Sequence, residues 1–227
     1  IIDHHEVLDQ RPKAKIIVDP QQKDDDSEFG YLCNAGITFK VSEEILGRDM
    51  SNNTRKSLLE LTALATIADM VPQVADNKLF IEEGLRSLKN TFRPGLRAFL
   101  DILGEGETAA NGYLKIISSL NAAESINFKN ESYELLTSAS KERCKEIAED
   151  LISRTQQKQQ RIKMIVEEVE RRILKKKSFG TAQDGDDPII FEGDPAWKLT
   201  LAGPVASIIA SKYEKPTFIY RKMDAES

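Results

Sequence analysis

Apolar residues near the start of the chain fall in two short blocks, Ile1-Ile2 and Ile16-Ile17-Val18, stopped by Asp3 and by Asp19-Pro20. Blocks of that length closed by polar residues have the form of buried strands ending in loops. Helical spacing then takes over. Asn34 can cap a helix that reads to Leu46 and stops at Gly47, and Asn53 or Thr54 can cap a second, with Leu58, Leu61, Ala65 and Ala68 on one face. The second helix ends near Asp69, because a residue before proline, here Val71 before Pro72, resists the helical conformation. Asn77 to Leu88 reads as another helix, and Pro94, suited to a first helical turn, opens one that runs to Gly104.

From Ser138 to Lys177 there is neither proline nor glycine, and apolar positions return at Ile147, Leu151, Ile162, Ile165, Val169 and Ile173. One long helix is expected. Its middle, Ser153 to Arg161, is almost wholly polar, the composition of a segment that crosses solvent between two bodies. Ser178 to Pro188, rich in Gly and Asp, reads as a loop. Ile189-Ile190-Phe191 and Thr217-Phe218-Ile219-Tyr220 then flank a helix near Pro204 to Tyr213, the start of a βαβ unit. The fold class is α/β.

Composition narrows the picture. With 227 residues, 40% of them hydrophobic, the chain can build one medium domain and part of a second. No apolar run approaches the roughly 20 residues that cross a bilayer, so a cytoplasmic protein without membrane partners is expected, and a monomer. Cys33 and Cys144 lack metal-type spacing and read as small buried hydrophobes. The net charge of −5 argues against a broad nucleic-acid-coating surface. Residues 1–140 hold 15 basic and 22 acidic side chains and residues 141–227 hold 17 and 15, so any nucleic-acid contact should lean on the second part. The chain opens on Ile1 rather than methionine and stops soon after a strand-like run, which leads us to expect truncation at both ends.

The two histidines of the chain are neighbours, His4 and His5, directly after Asp3 at the end of an apolar block. Imidazole is the commonest metal ligand, and open α/β sheets place their sites beyond the carboxyl ends of strands. Alternation along an extended chain would point the two rings apart, one to metal and one to substrate. The competing reading is a solvated strand end. Asp69 gives a second signal, closing the apolar helical run Ala63 to Ala68. A carboxylate at a helix C-terminus opposes the macrodipole at about 0.3–1 kcal/mol unless a cation compensates, which a divalent ion would do. An exposed ion pair or a turn start would also account for it.

In sequence, Asp3-His4-His5 resembles the motif that names the DHH phosphoesterase superfamily. Leu32 to Lys40 is similar to the helix start that follows it in RecJ-like exonucleases, and Leu61 to Pro72 to that family's fourth motif. Arg93 to Leu100 and Asn121-Ala122-Ala123 match further RecJ segments in order. The resemblance covers nearly the whole chain. It implies a parallel-sheet DHH domain, of which residues 1–137 are the C-terminal part, a connector helix at 138–177, and the start of a DHHA1-type α/β nucleic-acid-binding domain at 185–227.

It further implies a site for one or two Mn²⁺ or Mg²⁺ ions, ions that prefer carboxylate oxygen, with imidazole acceptable to manganese. His4 and Asp69 would be metal ligands, Asp3 would orient or polarise an imidazole, and His5 would meet the scissile phosphate. The implied reaction is hydrolysis of single-stranded DNA from its 5′ end to nucleoside 5′-monophosphates, in DNA repair and recombination. A helicase and a single-strand-binding protein are the partners it suggests. The family's earlier Asp-x-Asp motif and a further aspartate have no counterpart here, so poor metal binding and negligible hydrolysis are expected of this chain alone. Ser118, Ser119, Glu124 and Ser125 stand where the family has Pro, Arg, Gly and Arg, which removes two bidentate phosphate donors. Lys198 stands where a histidine usually follows the tryptophan, and Thr200 where a glycine is usual.

Basic candidates for nucleic-acid contact are Arg154, Lys158 and Arg161, on one face by spacing, and Arg171, Arg172, Lys175, Lys176 and Lys177 at the helix end. A solvated helix face would show the same pattern. Trp197, Phe191 and Tyr220 could stack on bases, although aromatic residues in strands more often belong to a core. Two other functions compete: a phosphodiesterase for short oligonucleotides, opposed by the long helix, and a non-catalytic replication scaffold, opposed by the retained Asp3, His4, His5 and Asp69.

Overall fold

The apolar blocks at the start of the chain meet in a single parallel bridge, Ile2 to Val18, in a computed structural model that describes residues 1–7, 12–23, 25–104, 112–126, 129–178 and 187–222. Asp3 N–H donates to Val18 O at 3.0 Å and Val18 N–H to Ile1 O at 2.9 Å. This is less than the buried strands expected. With no further strand beside them among the described residues, Ile1 and Ile16 stay exposed. Ile2 and Val18 pack inward on Leu32, Ile37, Phe39, Leu59 and Phe80, and this contact sets Asp3 and Asp19 side by side at the ends of the two blocks.

Helices build the rest of the first compact unit, Ile1–Ile152. They are α1 (Asn34–Leu46), α2 (Asn52–Ala68), α3 (Ala75–Leu88), α4 (Pro94–Leu103) and α5 (Gly112–Leu120). A two-residue hairpin of β1 (Ser125–Ile126) and β2 (Lys129–Asn130) follows, then α6 (Glu131–Thr137) and the first part of α7 (Lys141–Ser178). The expected caps differ in detail. Asn34 is the first residue of α1, behind Cys33, and Ser51 caps α2 by accepting from Thr54 N–H at 3.0 Å. Serine before a helical run is as good an N-cap as asparagine. Pro94 opens α4 as expected.

Helices α2 and α3 approach so closely that an added Cβ at Gly84 would lie 2.3 Å from Leu59 O. Glu60, 1% exposed, sits in this packing, its two oxygens accepting from Ser87 Oγ at 2.7 Å and Thr91 Oγ1 at 2.6 Å. Asn77 Nδ2 donates to Tyr31 O and Pro72 O, tying the segment after α2 to the entry of α1. A larger core of Leu96, Phe99, Ile116, Leu135, Ile147 and Leu151 joins α4 to α7.

The second unit, Ser153–Ser227, takes the rest of α7 with β3 (Ile190–Gly193), α8 (Leu199–Tyr213) and β4 (Thr217–Tyr220). The strands pair in parallel, Ile190 to Thr217 through Gly193 to Tyr220, so the expected βαβ unit is present. Helix α8 begins five residues earlier than Pro204, which lies inside it. Leu201, Val205 and Ile209, spaced four apart, bury one face against Val169, Ile190 and Trp197, and that burial carries the helix past the one backbone bond the proline removes. Residues 156–161 of α7 are exposed, in keeping with their polar composition. Cys33 and Cys144 are both free and buried. Among the described residues no helix is long and apolar enough to cross a membrane. The side chains of Lys176 and Lys177 and most of the Gly/Asp-rich loop lie outside the described residues.

Candidate metal centre

Asp3 leaves the first apolar block with its carboxylate turned back on the next two residues. Its Oδ1 accepts from His4 N–H at 2.8 Å, from His5 N–H at 3.4 Å and from the His5 ring at Nδ1, 2.7 Å away. This local turn overrides strand alternation. The two imidazoles do not point apart: their centroids are 4.3 Å from each other, with the ring planes tilted by 43°. With its proton on Nδ1 donated to Asp3, His5 presents Nε2 outward, and the ring is largely exposed.

His4 makes a different contact. Its Nε2 lies 3.0 Å from Asp69 Oδ2 at the end of α2, and its Nδ1 is buried with no hydrogen-bond partner, 4.0 Å from Asp3 Oδ1. Asp69 is the C-cap of α2, and the residue after it, Met70, has φ 56°, a left-handed conformation that costs a side-chain-bearing residue energy and turns the chain out of the helix at once. The helix therefore ends before Val71-Pro72 can act. Donor atoms of Asp3, His4 and His5 lie within 4.8 Å of one another, and Asp69 joins this group through His4.

The electrostatics follow the hydrogen bonds. The bond from His5 holds the Asp3 carboxyl below its ordinary value, helped by the His4 backbone N–H. The same bond to Asp3 lifts the His5 imidazole above its ordinary value, reinforced by the charges of Asp3, Asp69 and Asp19. Asp19 is the residue that sequence reasoning passed over. It is buried beside Asp3 at the end of the second block, its Oδ1 accepting from Gln21 N–H at 2.9 Å. An aspartate before proline reads as a turn signal, and only its matching place at the end of a parallel neighbour could have marked it.

The basic candidates lie in the second unit. Arg154 is half-buried, and Lys158 and Arg161 are exposed on α7. Arg171 is paired with Glu168. Arg172 is bound on several sides: Nε donates to Glu168 at 2.8 Å, Nη2 to Asp194 at 2.7 Å and Nη1 to Gly193 O at 3.2 Å, and its guanidinium lies 5.0 Å from the centroid of the Trp197 ring. Trp197 belongs to the core, while Phe191 is exposed and Tyr220 half-buried, with ring centroids 4.6 Å apart.

A carboxylate and imidazole cluster beyond the ends of two parallel segments, within a helix-rich α/β chain, is a candidate divalent-metal centre. The proteins to which the chain is similar carry the name RecJ. The single-stranded-DNA-specific exonuclease RecJ of Bacillus subtilis (strain 168) is 26% identical over 223 residues, 96% of this chain and 27% of that protein. Among solved structures, exonuclease RecJ bound to manganese superposes with a TM-score of 0.72 at 23% identity, over 97% of this chain and 54% of that one. RecJ from Thermus thermophilus in complex with Mg²⁺ gives a TM-score of 0.63 at 20% identity, over 89% of this chain and 30% of that one. The chain is thus RecJ-like in sequence and fold, and it spans about a quarter of the length of the Bacillus subtilis relative. No family model matches it.

Proposed function

We propose that the chain is part of a metal-dependent exonuclease that hydrolyses single-stranded DNA from the 5′ end to nucleoside 5′-monophosphates, in DNA repair and recombination. The observation that carries this reading is the approach of His4 Nε2 to Asp69 Oδ2 at 3.0 Å, which brings the end of the first apolar block to the end of α2. The donor set fits a divalent ion: a carboxylate oxygen suits manganese or magnesium, an imidazole nitrogen is acceptable to manganese, and His4 carries a buried ring nitrogen that no protein group satisfies. His4 and Asp69 would hold Mn²⁺ or Mg²⁺. When bound, such an ion polarises phosphoryl oxygen and lowers the pKa of water.

The protein groups divide the remaining work. Asp3 Oδ1 already accepts three hydrogen bonds, which suits it to orienting His5 rather than to ligation. His5, held on Nδ1 and raised toward its cationic form, turns Nε2 to solvent, where it can donate to a phosphate oxygen. The first unit corresponds in this reading to the later part of a DHH domain and the second to the start of a DHHA1-type domain. A helicase or a single-strand-binding protein would present the strand.

The test is release of mononucleotides from a single-stranded oligonucleotide in Mn²⁺ by the protein at its full natural length, beside His4→Ala. Release that the variant loses is expected. A folded protein that releases nothing from DNA in Mn²⁺ or Mg²⁺ would rule the reading out.

A further inference from the structure

Asp69 is fixed on one side by α2 and on the other by the segment that leads to α3. That segment departs through Met70 at φ 56° and enters α3 at Ala75 with φ 44°. Both are left-handed conformations, which a residue with a side chain keeps only where its surroundings hold it. The segment's own side chains do not supply that hold, since Met70 is 88% exposed and residues 72–75 are exposed as well. It comes instead from the first turn of α3, where Asp76 pairs with Lys40 at 2.8 Å and Asn77 is fully buried.

Asn77 Nδ2 donates to two backbone oxygens, Pro72 O at 2.8 Å in the middle of the segment and Tyr31 O at 2.9 Å on the way into α1. Cys33, just after Tyr31, has its Sγ 3.4 Å from Thr66 Oγ1, close to the end of α2. One amide therefore ties together the two stretches of chain that flank the helix end carrying Asp69. Aspartate in this place would set a carboxylate against two carbonyl oxygens, and leucine would donate nothing. The arrangement also has a cost, because Asn77 Oδ1 is buried with no hydrogen-bond partner among the described residues, a penalty that an apolar side chain would not carry. We infer that Asn77 is a positioning residue of the metal centre: by pinning Pro72 O and Tyr31 O it fixes the turn at Asp69, and with it the carboxylate that faces His4. The inference rests on the metal-centre reading and adds to it a residue outside the donor cluster.

Two readouts on the protein at its natural length separate positioning from mere support of the fold. Hydrogen exchange of residues 70–76, followed by mass spectrometry in EDTA, reports on the segment, and the electron paramagnetic resonance signal of free Mn²⁺ reports on the centre. Asn77→Ala, shown folded by circular dichroism, should exchange faster there and lose about tenfold or more in Mn²⁺ affinity, the range seen when a group supporting a metal ligand is removed. Thr91→Val is the control: it disturbs the same pair of helices past the other end of α3 and should leave the affinity at the wild-type value. Should Asn77→Ala fail to fold, it is made together with Met70→Gly and Ala75→Gly, since glycine takes a positive φ without strain, and compared with that double-glycine parent; the same loss is expected. Faster exchange with unchanged Mn²⁺ affinity overturns the inference, as does an equal loss in Thr91→Val. Failure of the metal reading looks different, a wild type that leaves the free-ion signal undepleted, and the inference then falls with it.

Discussion

Nε2 of His4 and Oδ2 of Asp69 stand 3.0 Å apart. One residue follows a strand-like block and the other ends a helix, so their contact depends on everything that fixes α2 against the start of the chain. Ile2 and Val18 pack against the cluster that holds Leu59, near the middle of that helix, and Phe80 of α3 lies in the same cluster, with Gly84 close against Leu59 and Ala63. The candidate centre is therefore a product of packing as much as of its own donors.

That dependence makes Gly84→Ala a sharp test. The new methyl would meet Leu59 O at 2.3 Å and Ala63 Cβ at 2.5 Å, backbone and a short side chain that cannot swing away. We expect a loss of about 2–3 kcal/mol in urea unfolding, the upper part of the usual range for overpacking a tight interface. A loss below half of that would mean that α2 and α3 separate easily.

Glu60 supplies a second measurement in the same interface. Thr91→Val removes the hydroxyl 2.6 Å from Oε2 and leaves a buried carboxylate oxygen without that partner. The expected cost is about 1–3 kcal/mol, because an unsatisfied buried acceptor loses its hydration without return. Unfolding indistinguishable from the wild type would show that Glu60 finds another donor.

The Asp3 and His5 pair predicts a pH response in metal-free protein. The bond to Asp3 raises the His5 imidazole, so its contribution is complete below the ordinary imidazole value and is lost as pH rises through the raised one. The bond from His5 lowers Asp3, whose contribution is present above the ordinary carboxylate value and lost as pH falls through the lowered one. The pair is whole between those limits and opens on the alkaline side first. Proton NMR of the His5 ring should give a midpoint above the ordinary imidazole value, and Asp3→Asn should bring it down. A midpoint that Asp3→Asn leaves in place would contradict the geometry.

Much of this was legible in the chain. Two adjacent histidines after an aspartate, and an aspartate closing an apolar helical run, are local signals, and the structure brings His4 and Asp69 together. The relation of His4 to His5 was not legible, because strand alternation assumes an extended chain and Asp3 bends this one. The partners of Arg172 were hidden in a similar way. By composition it belonged to a basic cluster, but its partners Gly193 and Asp194 come from a later segment beyond the end of α7, and no spacing rule carries that information. Helices α5 and α6 escaped notice because they are short, and their burial depends on contacts with α4 and α7 rather than on a long periodic face.

The measurement closest to the central claim is a Mn²⁺ titration followed by the electron paramagnetic resonance signal of the free ion, on the protein at its natural length and on its His4→Ala and Asp69→Asn variants. The wild type should deplete the free-ion signal, and each variant, still folded, should lose at least about tenfold in affinity, the lower end expected when a metal site loses a supporting group. Variants that bind Mn²⁺ as well as the wild type would contradict that claim, and the contact between His4 and Asp69 would then be an ordinary ion pair.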